Sequence, residues 1–81
     1  MEELKELRRL LDDPFGKDEI LSKREREVAN LLAFDYTLVE IAGKLGVALG
    51  TVASISARAK GKLGVKSFTR LLLERIRKIV G

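Results

Sequence analysis

Apolar residues recur along the chain at intervals of three and four in five separate stretches, and each stretch predicts a helix. Leu4, Leu7, Leu10 and Leu11 form the first stripe, Val28, Leu31 and Leu32 the second, and Ile41, Ala42 and Leu45 the third. Val52, Ile55, Ala59 and Leu63 form the fourth, and Leu71, Leu72, Ile76 and Ile79 the fifth. No stretch alternates apolar and polar residues as a half-buried strand does, so the expected class is all-α.

Polar residues between the stripes mark where the helices begin and end. The first helix stops at Asp13-Pro14, because proline pushes the residue before it out of the α region. The loop that follows carries Phe15 and Ile20, apolar enough to pin it to the body. Ser22 and Glu25, and again Thr37 and Glu40, have the spacing in which each side chain satisfies the other residue's unpaired backbone N–H. Helix starts at Lys23 and Leu38 follow, with Leu21 placed before the first cap as a hydrophobic staple. Gly46 suits a left-handed cap on the third helix, and Ser67 is the expected N-cap of the last. The chain thus divides into an acidic helix and loop over 1–20 and a four-helix unit over 21–81.

Composition narrows the function classes. A chain of 81 residues holds one domain with a small core, which oligomerisation would enlarge. It has no Cys and no His, so disulfides, Cys/His zinc sites, cysteine nucleophiles and histidine acid–base chemistry are excluded. No enzyme and no cofactor are expected. Asp12 and Asp13 read as helix-end and turn residues, with no third ligand to make a metal site. There is no apolar run of about 18 residues, and "MEELKELRRL" is not a signal peptide, so no membrane association and a cytoplasmic location are expected. The lack of Gln, the single Asn30 and the wealth of Lys, Arg and Glu are similar to the bias of hyperthermophile proteins.

Net charge is +4, and its distribution matters more than its total. Residues 1–20 hold seven acids (Glu2, Glu3, Glu6, Asp12, Asp13, Asp18, Glu19) against four bases (Lys5, Arg8, Arg9, Lys17). From Arg58 onward eight bases (Arg58, Lys60, Lys62, Lys66, Arg70, Arg75, Arg77, Lys78) face Glu74 alone. A concentrated positive block attracts polyanions, nucleic acid first.

A short helix, a tight turn through Gly46 and Val47, and a longer helix over about 49–63 make a helix-turn-helix, whose second helix enters the DNA major groove. The segments "LSKREREVANLLA", "EIAGKLGV", "GTV" and "KLGVKSFT" stand in the order and spacing of one family. From about Leu21 to the last helix the chain resembles the LuxR-type (GerE/FixJ-like) helix-turn-helix domain. The resemblance implies a stand-alone DNA-binding transcriptional regulator that dimerises through its final helix. The segment "SARAKGKL" is also similar to sigma factor region 4, but "KLGVKSFTRLLL" and the last helix favour the LuxR type.

The resemblance makes positions 53, 54 and 57 base-facing, and here they are Ala53, Ser54 and Ala57, smaller than the polar residues frequent in the family. Ala48 stands where a capping serine or threonine is usual, and Val39 and Leu49 where charged or polar residues are. By helical period Ala53, Ala57 and Gly61 form a smooth ridge beside Ser54, Arg58 and Lys62. Against double-stranded DNA, alanine methyls would meet thymine methyls, Ser54 and Arg58 would meet base edges or phosphate, and Lys44, Lys60, Lys62 and Lys66 would meet phosphates. The Thr37 and Thr51 hydroxyls would fix register. The expected homodimer seam is drawn from Leu71, Leu72, Arg75, Ile76 and Ile79. The alternative is a docking module, in which the ridge with Leu38, Val39 and Leu49 is an apolar patch for another protein, such as a transcription factor or polymerase subunit.

Overall fold

The computed structural model describes residues 2–81, in five helices: α1 (Glu2–Asp12), α2 (Lys23–Ala33), α3 (Leu38–Leu45), α4 (Leu49–Leu63) and α5 (Phe68–Val80). The all-α expectation and all five elements hold. Both capping boxes form: the Ser22 side chain accepts from the Glu25 N–H while Glu25 accepts from the Ser22 N–H, and Thr37 and Glu40 repeat the exchange. Each box satisfies two N–H groups that a helix start leaves unpaired. Gly46 and Gly64 end α3 and α4 at φ 67, a left-handed conformation that costs glycine little. Ser67 caps α5 through the Arg70 N–H.

α2 is the central helix, packing against α3, α4 and α5, while α1 rests on α5. The interior divides into two clusters. Val28, Ile41, Val52 and Ile55 join α2, α3 and α4, whereas Leu10, Phe15, Leu21, Ala29, Ala33, Ala59, Phe68 and Leu72 join α1, its loop, α2 and α5 to the middle of α4. Leu32 packs against both and makes them continuous. No single helix among the described residues is long and apolar enough to cross a membrane.

The loop over 13–21 is held from three sides. Phe15 is fully buried, edge-on to Phe68 with ring centres 5.4 Å apart. Its N–H donates to the Asn30 side-chain oxygen at 2.9 Å, and the Asn30 amide donates to Asp13 at 2.6 Å. Arg75 lies over the Phe15 ring, 5.2 Å from its centre, and forms a forked pair with the Asp18 carboxylate at 2.8 and 2.9 Å. Ile20, expected to share this anchoring, is exposed instead. Leu21 beside it is buried in its place.

Two residues of the expected dimer seam have partners inside the chain. Leu72 is buried in the core and Arg75 is committed to Asp18 and Phe15 within the chain. Leu71, Ile76 and Ile79 are half-buried against the same core, because α1 and its loop cover that side of α5.

Two helix-interior glycines serve neither packing nor backbone geometry. A Cβ added at Gly43 or Gly61 would meet nothing within 4 Å, and neither has positive φ. Helical glycine costs about 1 kcal/mol relative to alanine. Gly43→Ala and Gly61→Ala are therefore each expected to raise stability by about 0.5 to 1 kcal/mol, read as higher urea midpoints with unchanged slope.

Candidate nucleic-acid interface

The second core cluster fixes which face of α4 looks outward. Val52, Ile55, Ser56 and Ala59 are buried, so the helical period turns Gly50, Ser54, Ala57 and Gly61 away from the body. Thr51, Ala53, Ser54, Ala57 and Arg58 are all exposed. The ridge has no side chain longer than serine along its crest, and its charges stand to either side. Arg58 and Lys62 lie on one flank by the helical period, and half-buried Lys60 lies on the other.

The start of α4 is uncapped by a side chain. Ala48 is its N-cap residue with extended backbone, and only its carbonyl takes part, accepting from the Thr51 and Val52 N–H groups at 3.1 and 3.2 Å. The positive end of the helix dipole there is met by no acidic residue, since the first turn contains none. At the far end, Lys60 and Lys62 sit in the last turn, where cations complement the dipole.

α3 sets the other half of the motif. Its buried Ile41 faces α2 and α4, and Val39, 67% exposed, points outward together with exposed Gly43. Lys44, in the last turn, lies over the Tyr36 ring at 5.3 Å from its centre, which orients a side chain that would otherwise sweep freely. Thr37 uses its hydroxyl as acceptor in the capping box, which leaves the hydroxyl hydrogen to donate. Lys66 is exposed in the turn after α4.

Lys62 has a second occupation that its sequence position does not reveal. Its ammonium donates to Glu25 Oε1 at 2.8 Å, the same oxygen that accepts the Ser22 N–H. Glu25 is only 4% exposed, and a buried carboxylate needs such partners. The Lys62 hydrogen bond first, and the bond from the Ser22 backbone next, hold its carboxyl below the usual range despite the burial that opposes ionisation. Glu25 thus ties the first turn of α2 to the last turn of α4. The capping spacing gave its local role, while its partner lies 37 residues away and leaves no local pattern.

The bacterial regulatory proteins of the luxR family match residues 19–74 of the chain. The spore germination protein GerE of Bacillus subtilis (strain 168) is 41% identical over 63 residues, which cover 78% of this chain and 85% of that protein. No solved structure matches the chain.

The Glu25 link has a pH signature. A carboxylate with a lowered folded-state pKa adds stability above its ordinary unfolded value of 4.5, and loses that contribution as pH falls through the folded value. Glu25→Gln removes the charge. It is expected to cost about 1 to 2 kcal/mol near pH 7 and to flatten, without abolishing, the loss of stability on the acid side, as followed by urea unfolding from pH 7 to pH 3.

Proposed function

The chain belongs to the luxR family of bacterial regulatory proteins, and on that premise we propose that it binds duplex DNA by laying α4 in the major groove. The observation that carries this reading is the outward face of α4, a crest of Gly50, Ala53, Ser54, Ala57 and Gly61 with cations on both flanks. A major groove has two phosphate walls. A narrow crest enters between them while Arg58 reaches toward one wall and Lys60 toward the other. Lys44 and Lys66 add contacts from α3 and from the turn after α4. The uncapped N–H groups at the start of α4 supply donors of the kind that meet phosphate oxygens.

The same crest limits what is read. Alanine methyls can pack against thymine methyls and Ser54 can bond either a donor or an acceptor on a base edge, but a forked pair with guanine is open only to Arg58. Affinity then rests mainly on phosphates, and discrimination between sequences is modest. Lys62 contributes less than its position suggests, because one of its three donors is held by Glu25.

A second reading is favoured by one observation. Val39 and Leu49 are exposed large apolar residues beside the crest, a composition that suits a protein partner on the helix-turn-helix face. The regulator would then be brought to its target by another transcription protein.

Binding to random-sequence duplex DNA separates the two. With about four phosphates neutralised, the association constant is expected to fall roughly a hundredfold between 50 and 200 mM salt. Arg58→Ala is expected to weaken binding about tenfold or more, and Lys60→Ala to weaken it equally on all sequences with a shallower salt slope. Absence of binding at 50 mM salt would remove the groove reading and leave the protein-docking one.

A further inference from the structure

Arg58 and Lys62 stand four residues apart on one flank of the α4 crest, so the helical period offers both to the same wall of phosphates. Their surroundings differ. Arg58 is exposed and takes part in no ion pair among the described residues, and the same holds for Lys66. The Lys62 side chain is 39% exposed, yet its ammonium is held by Glu25 Oε1 at 2.8 Å. α4 itself contains no acidic residue, so this carboxylate is brought to it by the fold, from the first turn of α2. α2 packs against the buried stripe of α4, on the side away from the crest, and the bond therefore draws the ammonium back toward the body.

We infer that Glu25 is an internal stand-in for a DNA phosphate: it keeps Lys62 out of the DNA interface, so α4 presents one cation fewer to the duplex than its sequence carries. The inference rests on the groove reading of α4. A lysine already neutralised by a carboxylate has no charge to exchange for the counterions that DNA releases, and it drops out of the electrostatic footprint. Two features let the pair hold against DNA. It is partly buried, and such pairs are screened by salt much less than exposed ones. Glu25 is also only 4% exposed, so withdrawing Lys62 would leave an ionised carboxylate uncompensated, at a cost above the return from one contact to a solvated phosphate. The flank that Lys62 shares with Arg58 then delivers Arg58 alone. Phosphate contacts tighten binding to every sequence alike, and removing one restrains non-specific binding by a crest that reads few bases.

The test is equilibrium binding of the full chain to random-sequence duplex DNA between about 50 and 200 mM salt, with urea unfolding to show that each variant is folded. Glu25→Gln removes the competing charge and keeps a side chain that completes the capping box. It is expected to bind about tenfold more tightly at 50 mM salt, and to lose roughly five hundredfold across the window where the unmodified chain loses roughly a hundredfold, the increment of one further phosphate contact. Lys62→Met is expected to leave affinity and salt dependence as they are in the unmodified chain, while lowering the urea midpoint because Glu25 then stands unpaired. Glu25→Gln/Lys62→Met keeps neither charge and is expected to bind as the unmodified chain does, which traces the gain in Glu25→Gln to Lys62 even where Lys62→Met does not fold. A Glu25 with a structural role alone would move the urea midpoint and leave the salt dependence untouched. Unchanged salt dependence in Glu25→Gln would overturn the inference, as would weaker binding with a shallower slope in Lys62→Met or in the double variant. Those outcomes leave the groove reading standing, whereas absence of binding by the unmodified chain and by Glu25→Gln at 50 mM salt overturns both.

Discussion

A buried carboxylate sets the terms on which this domain holds together. Glu25 lies almost wholly out of water, and an ionised group there is tolerable only while its oxygens are matched by donors. The Ser22 N–H and the Lys62 ammonium converge on one of those oxygens, so the beginning of α2 and the end of α4 are fixed relative to each other. The helix that presents the outward crest is therefore positioned by polar contact at its last turn and by apolar contact at Val52, Ile55 and Ala59. Moving α4 would strand the charge as well as open the core.

That constraint explains how α4 tolerates so bland a composition. Its buried stripe is narrow and its outer residues are alanine, serine and glycine, so by propensity alone two glycines within the helix weaken it. Tertiary contact makes up the difference through α2, which supplies residues to both core clusters and joins them at Leu32. The consequence for function is a rigid helix with a low crest. With no side chain longer than serine along the crest, the backbone of α4 lies close to its outer surface.

The segment before the helix-turn-helix is integrated in a different way. Phe15, Asn30, Asp18 and Arg75 form a latch in which an aromatic edge, an amide that both donates and accepts, and a forked ion pair act on the same loop. Because α1 and this loop occupy one side of α5, Leu72 and Arg75 are engaged inside the chain. On that side of the chain Leu4 and Leu11 of α1 stay exposed, and on α5 so do Leu73 and Val80.

Local rules carried the sequence reading far. Helix positions, both capping boxes, the left-handed end at Gly46, the missing side-chain cap at Ala48 and the core stripe of α4 are all set by neighbours within four residues, which is the reach of helical periodicity and capping. The motif followed from the same local patterns, and the family from the resemblance of whole segments. What only the tertiary structure decided are the meetings of distant residues: Lys62 with Glu25, Arg75 with Asp18, Asn30 with Asp13 and Phe15, and the burial of Leu72 in the core. A charge or an amide at one position has the same local environment whether its partner sits 15 or 57 residues away. The chain's packing, and not its pattern, selects which of the available partners it meets.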